Sequence, residues 1–277
     1  MAFVVHQQRL AEQTFRLRLH CPDVARTIVP GQFFMIRPAG GTDPLLGRPF
    51  ALYDTVLDDQ GRPESLDCVY HVIGKMTGLM SRWTQGEPVE LWGPLGNGFP
   101  AGTRRHLVFV GGGIGYTPSL AVAREVLQRR DYGLTPRRSG AAAARFTLCY
   151  GVRTAAQRAD LSDFASLPEI QVQIATEDGS EGHRGLVTEP LQALLRGESP
   201  PDAVFCCGPV PMMQAVARLC EASGVDCWLS LESPMACGFG ACFSCVTRVR
   251  TDDPDGWDYR RTCVEGPVFH ARELMLD

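Results

Sequence analysis

Four cysteines near the C-terminus, Cys237, Cys242, Cys245 and Cys263, form a C-x4-C-x2-C-x17-C array. That order of spacings delivers four thiolates from a small region, as the two sulfide-bridged irons of a [2Fe–2S] cluster require. Gly238 and Gly240 let the backbone pass close to the inorganic sulfurs and aim N–H groups at them. A structural zinc ion also takes four thiolates. Its usual signature is two short C-x2-4-C knuckles, and only Cys242 and Cys245 make such a pair here. A disulfide set is the third reading of the array.

A second kind of chemistry is carried by glycines. Val110-Gly111-Gly112-Gly113-Ile114-Gly115-Tyr116 follows a strand-like run and precedes an apolar-periodic helix, so a tight turn there can bring backbone N–H groups to a dinucleotide's pyrophosphate. The same turn can serve close packing alone. No acidic ribose ligand is recognisable about 20 residues further on, unlike an ordinary Rossmann fingerprint. Two more loops, Tyr150-Gly-Val-Arg153 and Cys206-Cys207-Gly208-Pro209-Val-Pro-Met212, end at the same edge of the expected sheet. Ligands of open α/β sheets bind at that edge. Arg153 is either a ribose-phosphate ligand, which keeps NADP(H) open, or a solvated loop arginine.

In the first hundred residues three stretches stand out: Gly47-Arg48-Pro49-Phe50-Ala51-Leu52-Tyr53, Tyr70-His71-Val72-Ile73-Gly74-Lys75-Met76-Thr77 and Gly93-Pro94-Leu95-Gly96-Asn97-Gly98-Phe99. An arginine at a strand edge and a loop of amides with a threonine hydroxyl can neutralise and cradle a diphosphate, while aromatic and aliphatic residues cover a flat heterocycle. Taken singly, each also reads as a surface charge, a core aromatic or a turn. Lys75 is the only lysine among 27 basic residues.

These residues need two different scaffolds. Up to residue 103, short β-type runs alternate with Gly/Pro turns, which predicts a closed or sandwiched antiparallel sheet. From His106 the texture changes: runs at 107–110, 146–150, 172–176 and 203–206 alternate with helix-like segments at 119–130, 159–167, 187–195 and 211–223. That alternation predicts a parallel sheet with crossover helices. Residues 131–145 read as a surface loop, and beyond Cys227 a cluster rather than a core supplies the organisation. The expected units are therefore 1–103, 104–227 and 228–277, an α+β multidomain chain.

Composition bounds the rest. The net charge of −4 and the lack of a basic run give no electrostatic case for nucleic acid. No apolar stretch is long enough for a membrane span, and the N-terminus lacks a signal-peptide pattern, so a cytoplasmic location is the default expectation. The seven cysteines outside the array have no regular spacing, which suits reduced, mostly buried thiols.

The succession Pro30-Gly31-Gln32-Phe33, Arg48-Pro49-Phe50-Ala51, Gly74-Lys75-Met76-Thr77, Gly93 to Phe99, Gly111 to Gly115, Cys207-Gly208-Pro209 and the cysteine array is similar to that of the ferredoxin-reductase superfamily. More narrowly, it resembles the electron-transfer subunits of dihydroorotate dehydrogenase B, across nearly the whole chain. The segment from Glu232 to Cys245, followed by Arg261 to Phe269, is the most specific part.

The resemblance implies an N-terminal antiparallel β-barrel that binds FAD, an α/β parallel-sheet domain that binds NAD(H), and a small C-terminal [2Fe–2S] domain. It places Arg48, Pro49, Phe50, Ala51, Val69, Tyr70, His71, Gly74, Met76 and Thr77 at the FAD, and Gly111, Gly112, Gly113, Gly115, Gly208 and Pro209 at the NAD. Cys207 falls near the nicotinamide, and Cys237, Cys242, Cys245 and Cys263 hold the cluster. Two departures stand out: Ala51 lacks the hydroxyl of the usual R-P-x-S stretch, and Met76 replaces the second glycine of G-x-G-T. The implied partner is an FMN-containing dihydroorotate dehydrogenase catalytic subunit, in a heterotetramer of two of each. The implied activity is NAD-linked electron transfer in pyrimidine biosynthesis. The competing readings are a subunit of another NAD(P)H:ferredoxin or sulfide oxidoreductase, a free-standing reductase, and a non-catalytic zinc-binding regulatory scaffold.

Overall fold

A computed structural model describes residues 1–102, 104–137 and 140–276. Thr103, the expected end of the first unit, Arg138 and Ser139 in the expected 131–145 loop, and Asp277 lie outside the described residues.

The first half is built from β1 (Ala2–Ala11), β2 (Thr14–His20), α1 (Pro22–Ala25), β3 (Phe33–Pro38), β4 (Arg48–Ala51), β5 (Asp54–Leu57), β6 (Pro63–His71), α2 (Lys75–Met80) and β7 (Pro88–Leu95). Its strands form one antiparallel sheet in the order β4-β3-β7-β1-β2-β6-β5. The sheet curls around a core of Val4, Leu17, Leu19, Phe34, Ile36, Leu66 and Tyr70, all inward-facing alternate residues. Its two ends approach where Phe50 on β4 meets Tyr70 on β6 edge to face, ring centroids 6.1 Å apart.

The second half continues through β8 (His106–Gly112), α3 (Ser119–Val126), β9 (Arg145–Val152), α4 (Ser162–Ala165), β10 (Ile170–Thr176), β11 (His183–Arg184), α5 (Thr188–Arg196), β12 (Ala203–Cys207), α6 (Val210–Ser223) and β13 (Asp226–Ser230). The chain ends in a hairpin of β14 (Val246–Arg250) and β15 (Trp257–Arg261), then β16 (Val268–His270). The second sheet runs β11-β10-β9-β8-β12-β13-β16, parallel except for the antiparallel edge strand β16. β8, β9 and β12 are buried almost throughout, the continuous apolar pattern of parallel strands covered on both faces.

Several sequence expectations change in detail. The helix expected at 159–167 shrinks to α4, because Leu161 and Leu167 pack inward without a continuous periodic face. The expected surface loop at 131–145 is anchored: Tyr132 is buried, Ala143 joins the core, and β9 already begins at Arg145. The expected boundary after residue 227 falls within β13, and β16 from the expected cluster segment completes the nucleotide sheet.

The two sheets are pinned by charge. Asp54 on β5 takes Arg124, Arg130 and Tyr132 from the second half, while Asp163 on α4 takes Arg16 and Tyr53 from the first. Among the described residues no helix is long and apolar enough to cross a membrane.

Candidate functional site

The Gly-rich turn lies between β8 and α3, beside the loop after β12. Gly115 presses on the backbone of Cys207 so closely that a Cβ there would overlap the Cys207 carbonyl. Gly112 and Gly208 are likewise filled in by Met212. Close packing therefore accounts for Gly112, Gly115 and Gly208, and Gly111 packs on Tyr116 in the same way. Gly113 differs: it adopts a left-handed φ of +54°, with nothing within 4 Å of its Cβ position. This is the open approach to the turn's backbone, at the carboxyl edge of the sheet.

Cys207 ends β12, in register with Ser230 on β13. Burial pushes its thiol up to about 12, the Glu232 carboxylate adds to the rise, and a hydrogen bond with Ser230 opposes it. The group is a neutral thiol near pH 7, small and apolar rather than nucleophilic. Pro209 starts the turn into α6. Arg153 stands exposed after β9, its carbonyl accepting from the Asp178 N–H at 3.3 Å.

On the antiparallel sheet, β4 pairs with β3 through Phe33↔Ala51, Phe34↔Phe50, Met35↔Pro49 and Ile36↔Arg48. Arg48 is exposed, and among the described residues its guanidinium donates only to the Leu46 and Gly47 carbonyls, both at 3.0 Å. The Thr77 hydroxyl accepts from the Ile73 and Gly74 N–H groups at 3.0 and 3.2 Å. Beside these polar groups Leu45, Leu46 and Ile73 are exposed, an apolar surface suited to a flat ring. An unpaired cation, a hydroxyl on a tight turn and flanking apolar residues fit a dinucleotide such as FAD.

Not every expected residue points there. Met76 is buried in the barrel core, so its side chain fills space inside rather than crowding the turn. Tyr70 is also committed to the core, its hydroxyl donating to Gln7 at 2.9 Å, while Val69 packs toward the nucleotide half. His71 shares a hydrogen bond of 3.0 Å with Thr14. Lys75 pairs with Asp43 across the surface. The stretch from Gly93 to Phe99 makes a joint instead of a diphosphate cradle: Asn97 donates to the Glu265 and Val268 carbonyls, both at 2.8 Å, and accepts from the Val268 N–H.

The cysteine array folds against this joint. Cys245 and Cys263 are buried with Phe33 and Met35, beside half-buried Trp92 and Leu95. Gly238 has a left-handed φ of +80°, and a Cβ there would stand 2.6 Å from the Met35 side chain. Its glycine is needed for approach to the barrel wall. Thr262, fully buried, donates both its N–H and its hydroxyl to the Cys245 carbonyl at 2.9 Å. Arg261 reaches back to the Gly240 carbonyl at 3.2 Å, and its guanidinium covers the Phe243 ring.

Cys237 neighbours Cys242, and Cys245 neighbours Cys263, which Cys237 also approaches. Cys242 is exposed, and the Ser244 hydroxyl and N–H, then Cys237, bring its thiol down to about 6. Burial pushes Cys263 up to about 12, and the neighbouring Cys245 adds to it. Among the described residues no three His, Cys, Asp or Glu side chains converge on a single ion. Thiols delivered as two neighbouring pairs can each serve one iron of a bridged pair.

Sequence reasoning did not single out Trp92 or Ser230, while Asn97, Glu232, Arg261 and Thr262 were read as parts of motifs and given no role of their own.

The family model for the iron–sulfur cluster binding domain of dihydroorotate dehydrogenase B matches residues 232–275, and the oxidoreductase NAD-binding domain matches residues 109–218. The chain is 33% identical over 275 residues to the electron transfer subunit of dihydroorotate dehydrogenase B (NAD(+)) of Caldanaerobacter subterraneus subsp. tengcongensis, covering 99% of this chain and 98% of that one. It is 36% identical over 278 residues to the same subunit of Bacillus caldolyticus, covering 99% and 97%. Among solved structures, a chain of an NADH-dependent reduced ferredoxin-NADP oxidoreductase superposes with a TM-score of 0.78 at 26% identity, over 100% of this chain and 90% of that one. A ferredoxin NADP+ reductase of Neisseria gonorrhoeae shares the fold at a TM-score of 0.61 and 17% identity, over 80% and 90%.

Proposed function

The chain belongs to the family of dihydroorotate dehydrogenase B electron transfer subunits, and from that premise we propose that it relays electrons between a partner flavoenzyme and NAD⁺ through a [2Fe–2S] cluster and FAD, in the oxidation of dihydroorotate to orotate. It is an oxidoreductase subunit with an NAD-binding domain and an iron–sulfur domain. The observation that carries the finer reading is the seat of Cys245 and Cys263 on β3 and β7, with β3 paired directly to β4 and its Arg48–Ala51 motif.

In this reading Arg48 neutralises the flavin diphosphate, which lies against the Gly74–Thr77 turn that the Thr77 hydroxyl ties together. Pro49, Phe50 and Ala51, and the backbone of Val69, Tyr70 and His71, border the ring, and buried Met76 fixes the turn from inside. The backbone at Gly113 meets the NAD pyrophosphate, while Gly111, Gly112, Gly115, Gly208 and Pro209 hold the two loops at the spacing it needs. The neutral Cys207 thiol would pack beside the nicotinamide and position it, without acting as an acid or base. Cys237 with Cys242 and Cys245 with Cys263 ligate the two irons. When bound, the flavin exchanges hydride with NAD and the cluster passes single electrons.

Carbon chemistry on dihydroorotate belongs to an FMN-containing catalytic partner, in an assembly of two of each subunit. The expected units 1–103, 104–227 and 228–277 take up flavin, NAD and cluster in turn, with β13 and β16 joining the last two in one sheet. The visible spectrum of the anaerobically purified chain tests this. Flavin and iron–sulfur bands together are the expected result, and a colourless, zinc-loaded protein would refute it.

A further inference from the structure

Trp92 on β7 reaches both of the regions that the proposed function assigns to redox groups. Its indole N–H donates to the Cys237 carbonyl at 3.0 Å, on the first segment of the cluster loop. The far edge of the same ring lies over Gly47, where a Cβ would collide with Cη2 and stand 3.1 Å from Cζ2. Gly47 directly precedes Arg48, whose guanidinium donates back to the Gly47 carbonyl. Trp92 is paired in register with Met35, and Met35 in turn with Pro49 of the flavin motif.

From these contacts we propose that Trp92 couples the flavin to the cluster, as a packed and hydrogen-bonded connection between their binding segments. The inference rests on the reading above, that FAD binds at β4 and a [2Fe–2S] cluster at the cysteines. Packed atoms and hydrogen bonds carry electronic coupling better than a gap, and a ring filling the space between the sites leaves no such gap. The hydrogen bond also holds the Cys237 carbonyl, and so the ligand loop, at fixed distance from β4. In the physiological direction the step oxidises the reduced cluster by one electron and reduces the flavin by one. Two such steps, with one proton from solvent, produce the flavin form that returns a hydride to NAD⁺. The electrons come from substrate oxidation in the partner.

W92F and W92L grade the loss, since Phe keeps an aromatic ring but loses the N–H donor and the outer edge that lies over Gly47, and Leu loses the ring as well. Holoproteins are compared by flavin and iron content, by the EPR spectrum of the reduced cluster, and by stopped-flow absorbance after mixing with NADH. The flavin phase serves as the internal reference for the cluster phase that follows it. In molecules carrying both groups the cluster phase is expected to slow in W92F relative to the flavin phase, and to slow further in W92L. Wild-type rates in loaded W92F and W92L would overturn the inference, even if their cluster content fell, because a merely structural role changes content and not rate. If W92L does not hold its cluster, W92F decides. A wild-type chain lacking flavin or cluster bands fails the proposed function itself, before any variant is made.

Discussion

The Tyr132 hydroxyl donates to the Asp54 carboxylate at 2.6 Å, with both groups buried at the joint between the antiparallel sheet and the nucleotide sheet. Arg124 and Arg130 close on the same carboxylate. One acid thus holds three groups of the other half, and the mutual placement of the expected flavin and NAD sites depends on it.

Removing one member of such a buried network strands the rest. Asp54→Ala is expected to destabilise the chain by about 3–5 kcal/mol, because two guanidinium groups lose their counter-ion in a site with little water. Lys75→Ala is the comparison: that pair with Asp43 is mostly exposed and is worth at most about 1 kcal/mol. Urea denaturation of both variants checks the contrast, and equal losses would contradict it.

In protein stripped of metal, Cys242 is expected to alkylate with iodoacetamide along a titration curve centred near pH 6, its thiol being pulled down to about 6 mainly by Ser244. A lowered thiol is deprotonated above that value, so reactivity rises between about pH 5 and 7 and is then flat. Cys263, pushed up to about 12 by burial, stays unmodified through this range. Mass spectrometry of quenched samples reads both sites. A Cys242 midpoint near the ordinary thiol value would be the contrary result.

Cys207 carries the opposite sign. With its thiol pushed up to about 12, it remains protonated throughout the neutral and mildly alkaline range. The rate of flavin reduction by NADH is expected to show no thiol limb between about pH 7 and 9 in the wild type. Cys207→Ala lowers that rate through looser nicotinamide packing without changing the shape of the pH profile. A limb that disappears in the variant would mean that a thiolate takes part.

Arg48→Ala is expected to weaken FAD binding by about 10- to 100-fold, the scale of one or two charge-assisted hydrogen bonds. Fluorescence titration of flavin-free protein measures it. Lys75→Ala, whose ammonium is already paired with Asp43, shifts the same curve less. Unchanged affinity in Arg48→Ala would move the diphosphate away from β4.

What the sequence revealed follows from distance along the chain. The cysteine array and the Gly-rich turn are local, their meaning fixed by spacings of a few residues, and both were legible. The parallel strands announced themselves by apolar runs between helices. Trp92 carried no such mark, and the motif that holds Asn97 did not announce its use as a joint, because their partners Cys237 and Val268 lie 145 and 171 residues away. Tyr132 was hidden in a loop-like stretch rich in glycine, arginine and alanine, and its burial depends on Asp54 from the other half. The edge strand β16 is only three residues long, too short for alternation to declare it. Gly112 and Gly115 show the reverse case: their motif was legible, while their use in packing against Met212 and Cys207 was visible only in three dimensions.

The most direct test of the relay is NAD⁺ reduction driven by dihydroorotate in the complex with the FMN-bearing catalytic partner, compared between wild type and Cys263→Ser. The account predicts that wild type reduces NAD⁺ and that Cys263→Ser loses this activity together with its iron, while NADH still reduces ferricyanide through the flavin. Dihydroorotate-dependent NAD⁺ reduction that survives loss of the cluster would contradict it.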